Sequence, residues 1–170
     1  MPGMKDTEEV LTIFYLEMLD PRALSAKQVP PEFKFALVFP STPGLNRQFY
    51  ESVGRLWNWT DRLKWTDDDW RRYVNRTVLQ TWVGCLNGKP TGYWELEFQS
   101  DGNMEIAYFG LLLEFVGRGL GGVLLTAAVE SAWSNPGVRR VWLHTCTDDH
   151  PAALENYQKR GFALYKTEQA

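Results

Sequence analysis

A cluster of four glycines constrains this fold more than any other feature of the 170-residue sequence. The cluster, Gly117-Arg118-Gly119-Leu120-Gly121-Gly122, joins an apolar strand-like segment to an apolar helix-like segment. Glycines at such a junction let the backbone approach a bulky anion, and the free N–H groups of the first helical turn point at it. A tight turn alone would need only one or two glycines. The cluster therefore predicts a strand–loop–helix unit that binds a phosphate-bearing ligand.

Two common phosphate-binding motifs do not fit this region. Gly117, Gly119 and Gly122 satisfy GxGxxG, but a dinucleotide fold places that pattern early in the chain and ends the next strand with an acidic residue. Here only about fifty residues follow the cluster, and no carboxylate ends the next predicted strand before Asp148. Residues 84–89 fail as a P-loop, because the spacing is one residue short and Pro90 replaces Ser or Thr.

Hydrophobic periodicity predicts a mixed order of strands and helices. Strands are expected at residues 11–18, 78–86, 91–98, 105–113, 138–146 and 162–167, with a short apolar run at 33–39. Helices are expected at residues 45–56, 120–133 and 151–161, and a further short one is capped by Thr66. The dipeptide Asn87-Gly88 predicts a tight hairpin turn. Three antiparallel strands followed by β-helix-β-helix-β favour an α+β or mixed α/β class with one parallel crossover.

Composition narrows the function classes. The chain is 44% apolar with eight tryptophans, which excludes a disordered protein, and its net charge of −3 gives no general attraction to nucleic acid or to an anionic membrane. Cys85 and Cys146 lie in apolar segments and are interpreted as free thiols, and the sequence has no cluster of metal ligands. We see no export signal, so the expected location is the cytoplasm.

The segment from Val116 to Gly121 resembles the acetyl-CoA signature Q/R-x-x-G-x-G/A of the GCN5-related N-acetyltransferase (GNAT) family. The segment from Tyr157 to Phe162 is similar to the family's Tyr-x-x-x-Gly-Phe helix end. The resemblance spans residues 78–167. It implies an α+β fold whose mostly antiparallel sheet is splayed around one parallel β-α-β crossover, with helices on both faces. We therefore expect one acetyltransferase domain over residues 1–170, with acceptor-side helices at 43–76 and an acetyl-CoA-binding core at 78–167.

The resemblance also implies roles for individual residues. Glu105 resembles the family's general base, and Tyr157 matches the tyrosine that gives a proton to the departing thiolate. The alternatives are a half-exposed strand carboxylate for Glu105, with water as the base, and core packing for Tyr157. Pairing of backbone amides with the pantetheine is implied for Leu111 and Leu113. The complete set implied to bind acetyl-CoA is Leu111, Leu112, Leu113, Val116, Gly117, Arg118, Gly119, Leu120, Gly121, Gly122 and His150.

Three departures from the family pattern are visible. Val116 stands where the family has Gln or Arg, so one side-chain contribution at the loop is missing. The backbone N–H of Val116 can still serve there, and Arg118 is a candidate source of positive charge. His150 stands where many members have Asn near the pantetheine arm. The last strand of the family is expected to be short or absent, since nine residues follow Gly161.

The acceptor is expected to meet the tryptophan-rich segment between the first helices. Trp57, Trp59 and Trp65 could attract a cation and Asp61 could hold an ammonium group, although the same rings could simply pack the helices onto the sheet. Tyr108 lies three positions after Glu105, so strand alternation predicts that it points to the opposite face. The expected activity is transfer of an acetyl group to a primary amine of a small molecule or peptide, with no nucleic acid, membrane or metal partner and with a homodimer left open. The alternatives are a non-catalytic acyl-CoA sensor, a protein N-terminal or lysine acetyltransferase, and an interaction domain with a vacant loop.

Overall fold

Seven strands form one mixed sheet in the computed structural model, which describes residues 10–170. The strands are β1 (Thr12–Met18), β2 (Phe33–Val38), β3 (Leu79–Leu86), β4 (Lys89–Phe98), β5 (Asn103–Leu111), β6 (Arg140–Cys146) and β7 (Ala163–Gln169). The helices are α1 (Pro43–Trp57), α2 (Asp67–Val74), α3 (Gly121–Trp133) and α4 (Ala153–Lys159). The sheet order is β2-β3-β4-β5-β6-β1-β7. Its one parallel pair, β5–β6, is connected through α3, which confirms the predicted crossover.

Helices cover both faces of the sheet, as two neighbouring aromatic residues of the central strand show. On β4, Tyr93 packs against Phe49 and Val53 of α1. The next residue, Trp94, faces the other way and donates an indole hydrogen bond to Ser131 of α3 over 2.9 Å. Since successive side chains on a strand point to opposite faces, α1 and α3 lie on opposite sides of the sheet. The predicted α+β fold with helices on both faces is confirmed.

Local sequence signals explain several element ends. Asn87 and Gly88 both have positive φ, 49° and 79°, as the two-residue turn between β3 and β4 requires. Thr66 caps α2 through a capping box, in which its hydroxyl accepts from the N–H of Asp69 and its own N–H donates to the Asp69 carboxylate. Helix α4 and strand β6 each begin two residues later than predicted, at Ala153 and Arg140.

Strand β1, the first strand in the chain, lies in the part of the sheet beyond β6. Strand β1 lies between β6 and β7 and is antiparallel to both. Its alternate residues Leu16 and Met18 are fully buried in the main core. Consequently β7, which ends at Gln169, has one neighbour and forms an edge of the sheet.

A β-bulge in β5 changes which side chains share a face. Opposite β4, Glu97 pairs with Glu105 and Leu96 with Ile106, but Glu95 pairs with Tyr108. Residue 107 is the extra one, and a single extra residue reverses the alternation beyond it. Glu105 and Tyr108 therefore lie on the same face, the one covered by α1. The expectation that Tyr108 points away from Glu105 was wrong.

Candidate active site

The site begins where the parallel pair separates. Pairing between β5 and β6 covers residues 103–105 and 140–142 only, and the strands diverge beyond them. A cavity of about 840 Å³ lies in the gap, lined by residues 106–111 of β5 and 143–146 of β6. This volume is typical of small-molecule sites. The splay of the sheet expected from the family resemblance is confirmed.

The glycine cluster forms one end of this cavity. Gly117 and Gly119 have φ of +82° and +76°, in the left-handed region where a side chain would strain the backbone. Helix α3 starts directly after them, and no side chain caps its N-terminus, where Leu120 holds the cap position. The first N–H groups of α3 therefore remain available to an anion.

Two basic side chains from distant parts of the chain reach this end. Lys27, in the segment between β1 and β2, donates from Nζ to the carbonyl of Gly119 over 2.8 Å. Its backbone N–H donates to Thr126 Oγ1 of α3 over 3.0 Å, which fixes the segment on the helix. A Cβ on Gly122 would lie 2.9 Å from Lys27 Cδ and 3.4 Å from Arg160 Nη1, so the absence of a side chain there permits this approach. Both residues also line the cavity.

Sequence reasoning missed Lys27 and Arg160. Lys27 lies 92 residues from Gly119 in the chain and belongs to no motif, so no sequence signal connects the two. Arg160 occupies one of the x positions of Tyr-x-x-x-Gly-Phe, at which the pattern specifies no residue type. Its Nε is buried without a hydrogen-bond partner among residues 10–170. Together these side chains bring positive charge to the loop where Val116 replaces the family's Gln or Arg.

The residues expected to bind acetyl-CoA divide into two groups. The cavity lining includes Leu111, Val116, Gly117, Gly119, Gly121, Gly122 and His150. Four others lie outside it: Leu120 is buried in the core, Leu113 is exposed, the N–H of Leu112 donates to Thr91, and Arg118 lies over the ring of Phe115. The structure thus brings together the glycines, the end of β5 and His150, and leaves Arg118 out of the cavity lining.

Tyr157 lies inside the same cavity, on α4. Its ring is buried between Phe109 and Phe162, with centroid distances of 6.2 Å to each. Burial and, secondarily, the negative charge of Asp149 raise its pKa. The hydroxyl therefore stays protonated at neutral pH.

Glu105 lies beside the cavity and is held by a short chain of hydrogen bonds. Trp142 Nε1 donates to Gln99 Oε1 over 2.9 Å, and Gln99 Nε2 donates to Glu105 Oε2 over 2.9 Å. The other oxygen, Oε1, faces His144 Nε2 at 3.9 Å. Burial, followed by the charge of Glu97, raises the pKa of Glu105 to about 7. His144 lines the cavity, whereas Glu105 is absent from its lining.

Aromatic and acidic residues form the wall nearest β5. Trp57, Trp59 and Asp61 line the cavity, and Asp61 accepts hydrogen bonds from the hydroxyls of Tyr50 and Tyr108. The same wall contacts the loop after β6 on the other side. Trp59 Nε1 donates to Asp149 over 3.4 Å, and the rings of Trp57 and His150 are 5.0 Å apart.

Trp65 takes a different position from the other predicted acceptor residues. Its ring lies 4.7 Å from the guanidinium of Arg62, which is also enclosed by Tyr50, Trp70, Tyr73 and Tyr108. Arg62 is in turn paired with the fully buried carboxylate of Glu95 over 3.2 Å. The aromatic density of this segment thus surrounds a cation of the chain itself, and Trp65 lies outside the cavity lining.

The comparison with known families agrees with this geometry. Residues 44–162, more than half of the chain, match the model of the acetyltransferase (GNAT) family. The chain belongs to the GNAT family. The match begins inside the N-terminal turn of α1, so β1, Lys27 and β7 of this GNAT domain lie outside it.

Solved structures show the same fold at low sequence identity. A GCN5-related N-acetyltransferase from Kribbella flavida has a TM-score of 0.66 and 21% identity, covering 94% of this chain and 58% of that one. Its counterpart from Sphaerobacter thermophilus has a TM-score of 0.68 and 19% identity, covering 94% and 50%. The GNAT domain thus spans between half and three-fifths of these two proteins.

A third similar structure is shorter. An aminoglycoside acetyltransferase from an uncultured soil metagenomic sample, solved with trehalose, has a TM-score of 0.61 and 14% identity. The match covers 78% of this chain and 90% of that one. A search of curated protein sequences found none that matches the GNAT domain.

Two further properties concern the described residues alone. Every helix within residues 10–170 is too short or too polar to cross a membrane. In that same part of the chain, no group of three or more His, Cys, Asp and Glu side chains is arranged to hold a metal ion.

Proposed function

We propose that this GNAT domain transfers an acetyl group from acetyl-CoA to a primary amine. The observation that carries the proposal is the distribution of charge along one continuous cavity. The glycine loop, Lys27 and Arg160 lie at one end, and Asp61, the tryptophans and His144 line another part. An anionic donor and a cationic acceptor would each find complementary charge, and the reacting atoms would meet between them.

The residues present fit acetyl-CoA. The free amides of α3 and the glycines of the loop suit a pyrophosphate, and the diverging edge of β5 offers backbone groups to an extended pantetheine, as in strand addition. Bound there, acetyl-CoA would supply an acyl carbonyl activated as a thioester. The backbone N–H of Leu111 is the proposed donor to that carbonyl.

The amine must lose protons before and after it attacks. A primary amine with a pKa near 10 is almost fully protonated at neutral pH, so a base must act first. We assign the removal of the amine's proton to the part of the cavity next to Glu105. We assign the protonation of the leaving sulfur to Tyr157. In balance, R–NH₃⁺ and the thioester give the amide, a thiol and one proton released to water.

A matched pair of glycine substitutions tests the cofactor site. Gly119 and Gly88 have similar φ, +76° and +79°, and a Cβ at either position has no neighbour closer than 3.6 Å. Gly119→Asp puts a carboxylate where the pyrophosphate is proposed to bind, so coenzyme A affinity measured by calorimetry should fall at least about 100-fold. Gly88→Asp imposes the same backbone strain in the hairpin turn and should leave the affinity unchanged. Equal affinity in both variants would contradict the proposal.

The transferase activity itself is tested by free-thiol release from acetyl-CoA. The acceptors would be spermidine, tyramine, an aminoglycoside and a lysine-containing peptide, each against a blank without protein. Amine-dependent release supports the proposed reaction, and the preferred amine separates a small-molecule from a peptide acceptor. Coenzyme A binding without release with any amine would instead favour a non-catalytic acyl-CoA sensor.

A further inference from the structure

His144 lines the cavity and lies next to Glu105. It is on β6, two residues beyond Trp142, the last residue that pairs with β5. Its side chain is 50% exposed, whereas that of Glu105 is 15% exposed. His144 lines the cavity and Glu105 does not. A proton leaving an amine in this cavity would therefore meet the imidazole before the carboxylate.

The surroundings orient the Glu105 carboxylate toward this imidazole. An indole N–H can only donate, so the oxygen of the Gln99 amide faces Trp142 and its NH₂ group faces Glu105. That hydrogen bond occupies Oε2 and leaves Oε1 as the atom nearest His144 Nε2, 3.9 Å away. Pairs of catalytic groups are often slightly beyond hydrogen-bond distance without substrate and tighten when it binds.

The other charged groups around the two side chains are engaged elsewhere: Glu97 is paired with Arg76 and Arg62 with Glu95. Glu105 also faces Glu97 of β4 and Arg62, which precedes α2. The imidazole ring of His144 packs against Tyr15 of β1, 5.8 Å away, and Trp142, 6.4 Å away. The Tyr15 hydroxyl already donates to Glu168. Within residues 10–170 neither ring nitrogen of His144 has a hydrogen-bond partner at 3.5 Å or less, so the imidazole is available.

We propose that His144 takes the proton from the acceptor amine and that Glu105 acts through it as a positioning residue. Nε2 of the neutral imidazole accepts one proton from R–NH₃⁺, and the freed nitrogen lone pair forms the C–N bond as the C–S bond breaks. The electron pair of the C–S bond stays on sulfur, which takes a proton from the Tyr157 hydroxyl. The second proton of the new amide nitrogen leaves to water, and water returns a proton to Tyr157, so that one proton is released overall. The imidazolium is stabilised by the Glu105 carboxylate and returns its proton to water. This inference rests on the proposed acetyl transfer to an amine.

The test compares His144→Gln, Glu105→Gln and the double variant, using the amine of the panel that the parent acetylates best. His144→Gln should lower kcat about 10- to 100-fold while coenzyme A affinity stays within about twofold. The double variant should be no slower than His144→Gln by more than about twofold, because Glu105 acts through the histidine. The loss should shrink as pH rises toward the pKa of the amine, where the amine deprotonates unaided; a structural defect would persist at every pH.

Two controls complete the design. Tyr15→Phe keeps the ring against His144 and removes only a hydroxyl, so its kcat should equal that of the parent. Added imidazole should restore part of the activity lost in His144→Ala. Parent turnover in His144→Gln, or a double variant slower by the product of the two single losses, would overturn this inference and leave the acetyltransferase proposal intact. A parent that releases no thiol with any amine would overturn both.

Discussion

At the residue scale, the properties of Glu105 depend on burial as much as on its position in a motif. Its carboxylate lies against Glu97 on the neighbouring strand, and both burial and that charge favour the protonated form. The hydrogen bond from Gln99 and the charge of Arg62 act in the opposite direction, and the net result is a pKa of about 7. A carboxyl with such a pKa changes its charge near neutral pH, whereas an ordinary exposed glutamate is almost fully ionised there.

The same pKa predicts how stability depends on pH. The ordinary value is 4.5 and the folded value about 7, so between them the folded protein keeps a proton that the unfolded chain has lost. Stability is therefore highest below about pH 4.5 with respect to this group, and up to about 3 kcal/mol is lost as pH rises to about 7. Glu105→Gln should remove this loss, so urea unfolding should find the variant more stable than the parent at pH 8 but not at pH 4.5. An unchanged difference at the two pH values would contradict the prediction.

Tyr157 can be tested without disturbing its packing. Tyr157→Phe keeps the ring between Phe109 and Phe162 and removes only the hydroxyl. If that hydroxyl protonates the leaving thiolate, turnover should fall about 10- to 10³-fold and coenzyme A affinity should stay nearly unchanged. Steady-state rates and calorimetry on the two proteins measure both quantities. Equal turnover would assign Tyr157 to core packing.

At the element scale, local patterns predicted the strands well but not all of their neighbours. The hairpin at Asn87-Gly88 and the crossover through α3 depend on residues close in sequence, and both were predicted. The position of β1 depends on contacts with β6 and β7, more than 120 residues later, which no local period encodes. The bulge at residue 107 was missed because an alternating apolar strand carries no sign of one extra residue.

Strand β1 should therefore contribute much of the stability of this half of the sheet. Leu16 is fully buried between the two sheet neighbours, whereas Leu19, just beyond the strand, is 64% exposed. Leu16→Ala should lower the free energy of unfolding by about 2–5 kcal/mol through lost burial and the cavity left behind. Leu19→Ala, the same change at an exposed position, should alter it by less than about 0.5 kcal/mol. Urea titrations of both variants measure these free energies of unfolding. Similar losses in the two variants would mean that β1 contributes little to the stability of the sheet.

At the scale of the whole molecule, the candidate site is assembled from segments that the sequence separates. The glycine loop and the Tyr157 helix were recognised because each carries its own spacing pattern. Lys27 and His144 were missed because their relevance comes only from where the fold carries them. In the tryptophan-rich segment, by contrast, a sequence signal was present but, for Trp65, was assigned to the wrong cation. Its composition predicted a cation site, and the cation next to Trp65 is Arg62 of the chain itself. Only the tertiary structure reveals that Arg62 is buried against Glu95.

The contribution of Lys27 provides the broadest test, since it couples the start of the chain to the proposed cofactor site. Its ammonium group is 2.8 Å from the carbonyl of Gly119, and replacing it with an uncharged chain of similar length removes one positive charge from the loop. Lys27→Met should therefore weaken coenzyme A binding about tenfold, the size expected for one partly exposed charge-assisted contact. Lys34→Met removes another exposed lysine, on β2 and away from the cavity lining, and should leave the affinity unchanged. Calorimetry at low and high salt should also show the Lys27 difference shrinking as screening increases. A Kd ratio below about twofold between Lys27→Met and the parent at low salt would show that the segment between β1 and β2 supports α3 through its backbone bond to Thr126 and takes no part in holding the phosphates.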